Sequence, residues 1–129
     1  CIASCESTNH GRSWTPLVKT DLPNPNSAID AIMLKDGRAL LVYNPNAELQ
    51  SRGRRSPVGP RTTLIAEISE DGVRWEHFAG LEDDKKLLAS EKLPEFSYPS
   101  VIQTKDGKVH VTYTWNRKRI RHRVVDVTL

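Results

Sequence analysis

Cysteine is scarce: only Cys1 and Cys5 occur. If the stretch around Ile2–Glu6 is a strand, both point to one face, about 13 Å apart at ~3.3 Å per residue. A disulfide needs Cα atoms within about 7 Å. The pair therefore reads as two small strand residues, and it indicates no redox compartment. No His or Cys stands at zinc spacing from it. The four histidines, His10, His77, His110 and His122, are scattered with no i, i+4 partner, so no metal site and no cofactor are expected. No apolar run approaches the ~18 residues of a membrane span. Residues 1–20 lack a basic start followed by an apolar stretch, so no signal peptide is visible and no membrane partner is expected. The chain begins with Cys1 rather than Met, which suggests a processed chain, a trimmed one or a fragment. Helix signal is also thin. Only Leu81–Leu93 (LEDDKKLLASEKL) is rich in helix formers, and its place between strands makes it mostly a connection.

What is present fits one globular domain: 129 residues, 37% hydrophobic and 27% charged. The net charge is only +3, but the basic residues cluster. One group is Arg52, Arg54, Arg55 and Arg61. The other is Arg117, Lys118, Arg119, Arg121 and Arg123. No nucleic-acid motif accompanies them, so nucleic acid is not an expected partner. They read as solvated loops or as groups that recognise a small acidic ligand.

Two features repeat and interleave. Ser7-Thr8-Asn9-His10-Gly11-Arg12-Ser13-Trp14 fits the Asp-box pattern S-x-[DN]-x-G-x-x-W. Ser69-Glu70-Asp71-Gly72-Val73-Arg74-Trp75 is a variant one residue shorter. The second feature is an apolar run, Lys-Asp-Gly, and another apolar run, at Ala31–Tyr43 and again at Val101–Tyr113. Asp-Gly between such runs is a strong hairpin signal, because Gly tolerates positive φ. The boxes are offset by 61 residues (75 − 14) and the Asp-Gly turns by 70 (106 − 36). That length suits about four short strands plus loops.

Strands are expected at Ile2–Glu6, Thr15–Lys19, Ala28–Leu34, Ala39–Asn44, Thr63–Ile68, Glu76–Phe78, Pro99–Gln103, Lys108–Trp115 and Arg119–Val127. Those at Ala28–Leu34 and Ala39–Asn44 read as buried inner strands. Asp21–Ser27, with two prolines and two asparagines, and Pro45–Pro60 read as loops. In the boxes, Ser7, Asn9, Gly11 and Trp14, and Ser69, Asp71, Gly72 and Trp75, are read as structural. The Asn or Asp side chain accepts backbone N–H bonds, Gly supplies the special dihedral, and Trp packs under the turn.

The order of these segments resembles the BNR/Asp-box sialidase (neuraminidase)-like family. The carrying segments are E-S-x-N-x-G-x-S-W, L-P-N-P-N-S-A-I-D-A-I-x-L-K-D-G-R, L-x-x-x-I-S-E-D-G and F-S-Y-P-S-V-I-Q-T-x-D-G-K-V-H-V-T-Y-T-W-N-R. The resemblance implies an all-β, sialidase-like β-propeller, six-bladed when complete. Residues 1–129 would be a single partial propeller domain from its carboxy-terminal portion. They would supply about two to two and a half four-stranded antiparallel blades, at about 1–20, 28–80 and 97–129, with an Arg-rich loop at 45–62. It also implies a glycoside hydrolase acting on an anionic sugar, incomplete as an isolated chain. The alternative is a non-catalytic propeller that binds a glycan or a protein.

Sialidases hold the substrate carboxylate with an arginine triad, whose planar guanidinium groups grip it with paired hydrogen bonds. They use a tyrosine nucleophile activated by Glu, and an Asp acid/base. By the resemblance, Arg61 matches a triad arginine and Tyr98 the nucleophile. Each also has a plain reading, as a solvated loop arginine and a packed aromatic. Two positions depart from the pattern. No Glu stands near Ser27–Ala28, and Asn44 occupies a position where an arginine is expected. The acid/base falls outside these residues. In their place Asn24, Asn26 and Asp30 are candidates to meet sugar hydroxyls at the start of an inner strand, or else form an Asx-type turn. His110 is either a channel residue or a satisfied core histidine. Arg117 either contacts an anionic ligand or caps the sheet edge.

A partial propeller leaves sheet faces and edges open. Its expected partners are the other blades of the same propeller, or copies of itself, since three two-blade chains close six blades. Light scattering tests the latter. Copies that assemble give a species of several times 14.6 kDa, whereas a well-folded monomer removes self-assembly.

Overall fold

The computed structural model describes residues 1–46, 59–85 and 93–128. Among them there is no helix, and nine strands form three antiparallel sheets. A two-stranded sheet pairs β1 (Ala3–Ser4) with β2 (Val18–Lys19). A four-stranded meander runs β3 (Asp30–Met33), β4 (Ala39–Tyr43), β5 (Leu64–Ser69), β6 (Glu76–Glu82). A three-stranded meander runs β7 (Phe96–Gln103), β8 (Val109–Trp115), β9 (Arg119–Val125).

Both Lys-Asp-Gly segments turn as the sequence dictates. Gly37 and Gly107 adopt φ of 89° and 88°, and Asp36 and Asp106 accept the N–H of Arg38 and Lys108. The two hairpins lie side by side. Lys35 Nζ donates to the carbonyls of Thr104 and Lys105 at 2.9 and 2.7 Å, and Asp30 Oδ2 accepts the N–H of Val101 at 2.8 Å.

The Asp-box residues act on the backbone. Asn9 Oδ1 accepts Ser13 N–H at 2.9 Å, and Ser7 Oγ accepts Gly11 N–H at 2.8 Å. In the second box Asp71 Oδ1 accepts the N–H groups of Val73 and Arg74, and Ser69 Oγ accepts that of Gly72. The Arg74 and Val73 amides hold the Asp71 carboxyl far below the usual carboxylate range. Trp14 departs from the expected packing. Its ring leans on Gly11 and its Nε1–H reaches Gly11 O at 3.2 Å, yet it stays 61% exposed, because no further element among the described residues covers this turn.

The core lies between the two larger sheets. Leu40, Val42, Leu64 and Ala66 of one face Val101, Val109, Val111 and Tyr113 of the other. Tyr113 Oη donates to Glu82 at 2.6 Å, and burial pushes its hydroxyl up to about 12. Three expectations need correction. β3 is not buried: it is the sheet's edge, half-buried at best, and Met33 is 69% exposed. β6 runs on to Glu82 and so takes in Leu81, which had read as loop, through two register shifts against β5. β7 starts at Phe96, ahead of its proline. Residues 47–58 of the Arg-rich loop, with Arg52, Arg54 and Arg55, and residues 86–92 lie outside the described residues.

One buried side chain joins these parts. Asn44 ends β4 with 0% exposure. Its Nδ2 donates to the carbonyls of Thr63 and Phe96 at 2.7 and 2.9 Å, and its Oδ1 accepts the Ser27 hydroxyl at 2.8 Å. Two of those three partners lie just outside β5 or at the start of β7. Asn44→Ala leaves two carbonyls without its amide donor and the Ser27 hydroxyl without its acceptor, so a loss of about 3 kcal/mol is expected. Urea denaturation measures it.

Candidate functional site

The site sits where β5 and β7 begin and where the β8–β9 hairpin turns. Phe96 N–H donates to Arg61 O at 2.8 Å, which brings the approach to β5 against the start of β7. Asn116, in the β8–β9 turn, holds the backbone of Glu95 at both ends. Its N–H donates to Glu95 O and its Oδ1 accepts Glu95 N–H, both at 2.7 Å. Asn116 and Arg117 both have positive φ, 50° and 54°. They are the central residues of the turn closed by Lys118 N–H to Trp115 O at 3.0 Å, within a three-residue connection, and Arg117 reaches back to Glu95.

Glu95 is the centre of the charge arrangement. Its Oε1 accepts a short hydrogen bond from Arg61 Nη2. Arg117 Nε donates to Oε1 and Oε2 at 3.1 and 3.0 Å. One carboxylate thus gathers two guanidinium groups, and the three together keep one net positive charge. Arg61 is largely buried by its neighbours and Arg117 largely open. Tyr98 lies beside them, with its ring centroid 5.8 Å from the Arg61 guanidinium. These four side chains, with Gly59, Pro60, Thr62, Leu93 and Pro94, line a cavity of about 520 Å³.

Tyr98 has an unusual backbone. It falls where the β7–β8 register shifts, between Ser97 and Ser100, and its φ is 53°. Left-handed geometry suits glycine, and an aromatic residue there is strained. The bulge turns the ring out of the sheet and leaves it 67% exposed.

Of the residues singled out from sequence, Tyr98, Arg61 and Arg117 come together here. Asn24, Asp30 and His110 do not. Asn24 is buried: its Oδ1 accepts Ser27 N–H in an Asx turn, and its Nδ2 reaches Asn44 O. Asn26 is an exposed turn residue with φ of 60°. Asp30 ties β3 to β7. His110 lies on the open face of the three-stranded sheet, against His122. The sequence reading missed Glu95 and Asn116. A signal existed: Glu95 is the one acid between Lys92 and Lys105. Counting outward from the Asp106-Gly107 turn sets it opposite residues 116–117.

Strain at Tyr98 is measurable. Tyr98→Gly removes little packing and relieves a left-handed aromatic, worth roughly 1 kcal/mol after glycine's entropy is counted. A melting temperature unchanged or raised is expected. A clear fall would show that the ring stabilises the bulge.

Residues 1–111 match the BNR repeat-like domain family. That span includes Arg61, Glu95 and Tyr98 and stops short of Arg117. No curated protein and no solved structure matches the chain. The match covers most of the chain, and with the two Asp-box turns it places the protein in the BNR repeat-like, sialidase-like family.

Proposed function

We propose that this chain is part of a sialidase-like glycoside hydrolase domain acting on an anionic glycan, folded as blades of a β-propeller. The four-stranded meander is one such blade, and the two- and three-stranded sheets are parts of its neighbours. The carrying observation is Tyr98, held out of its strand by a left-handed bulge, beside Arg61 and Arg117. Strain of this kind is kept where a side chain must be presented rather than packed.

In this reading the two guanidinium groups take the sugar carboxylate. Arg117 has its Nη atoms clear of the Nε contact with Glu95, and these suit a planar, two-point grip. The Tyr98 hydroxyl then either gives up its proton to a base and attacks the anomeric carbon while the glycosidic oxygen leaves with a proton from an acid/base outside these residues, water later releasing the sugar, or stabilises positive charge at that carbon without bonding to it. Glu95 offsets one arginine charge, so the pocket suits a singly charged sugar acid over a polyanion.

A second reading, glycan binding without turnover, draws on Asn44. It stands where a further arginine is expected, and its amide is committed to Ser27, Thr63 and Phe96. Release assays on sialosides and uronic-acid glycosides separate the two. Hydrolysis that falls at least 100-fold in Tyr98→Phe, with substrate binding kept, is the expected outcome for a nucleophilic or charge-stabilising hydroxyl. Tight glycan binding with no release in the parent protein would establish the second reading.

A further inference from the structure

The four histidines are scattered in sequence, but two of them meet in the fold. His110 on β8 and His122 on β9 are diagonal neighbours, since His110 pairs with Val124 and Thr112 with His122. His110 Nδ1 and His122 Nε2 are 2.9 Å apart, and the ring planes differ by 11°. The rings are therefore nearly parallel and within hydrogen-bond reach of each other.

Three features of the surroundings are those of a cation site. The pair opens onto a cavity of about 360 Å³ lined also by Ser100, Ile102, Thr104 and Thr112, three of which carry hydroxyls. His122 is exposed, so a hydrated ion can approach. Among the described residues no arginine lines the cavity.

The 2.9 Å contact is of hydrogen-bond length, and an ion bound by both rings would replace it. Rotation of each ring about its Cβ–Cγ bond turns the two lone pairs from one another towards a common point, without moving the strands. Among the described residues no third His, Cys, Asp or Glu joins the pair, so water and the Thr112 or Ser100 hydroxyl complete the coordination.

We propose that His110 and His122 form a two-imidazole site for a divalent transition metal, with Cu²⁺ held more tightly than Zn²⁺, as the general affinity order for nitrogen ligands requires. The site lies on a different face from the Arg61–Glu95–Arg117 cluster and stands independently of the glycosidase reading.

The test is titration of the full chain with Cu²⁺ alone, read by calorimetry and by electron paramagnetic resonance. The expected result is one site with two imidazole nitrogens coupled to the copper. It weakens by about tenfold or more in both His110→Ala and His122→Ala, as loss of one of two protein ligands requires. His10→Ala and His77→Ala leave it unchanged. Zn²⁺ binds the same site more weakly. Both rings lie on an open sheet face, so the alanine variants fold, and circular dichroism checks this. Cu²⁺ binding that is unchanged in His110→Ala and His122→Ala, or that follows His10, His77 or the amino-terminal Cys1, would overturn the proposal.

Discussion

A single buried amide sets the geometry on which the rest depends. Asn44 lies at the junction of two sheets and the turn that precedes β3, and it donates to one carbonyl before β5 and one at the start of β7. A buried amide is costly unless its groups are satisfied, which makes its partners' positions narrow rather than approximate. Because Thr63 and Phe96 are fixed against each other, Arg61 and Glu95, each one or two residues away, are fixed as well. Asn44 thus holds the approach to Arg61 in place.

The architecture was readable because the turns that define it are local. Lys-Asp-Gly and the Asp box need only Gly at positive φ and a short polar side chain that accepts nearby N–H groups. Strand ends were less readable where pairing rather than propensity decides them. β6 gains Leu81 and Glu82 through its bulged pairing with β5, which no local pattern signals. Exposure of β3 follows from its place at a sheet edge, and apolar content alone does not reveal that place.

The site was half readable. Tyr98, Arg61 and Arg117 carry chemistry by residue type and stand out. Glu95 did not, because the sequence reading sought a carboxylate near Ser27, whereas the one that pairs with both arginines lies just before β7. Asn24 and Asp30 are polar and well placed in sequence, but their groups close an Asx turn and a strand-to-strand bond. The His110–His122 contact depends on a diagonal across two strands and a twelve-residue separation, which spacing rules for metal motifs do not cover.

The hairpin register has a consequence for how this surface can change over time. Glu95 meets Asn116 and Arg117 only because β7 and β8 are counted off from the turn at Asp106-Gly107, roughly 30 Å away at about 3.3 Å per residue. The bulge at Tyr98 is already one step in that count. Gain or loss of one residue at the distant turn would exchange the two faces of β8, bringing His110 and Thr112 inward and Val109 and Val111 outward. The cavity and the far turn are therefore bound to one another in length. Asp106 and Gly107 are held at the tip by their turn geometry, and the number of residues there is constrained by an ion pair at the other end of the strand.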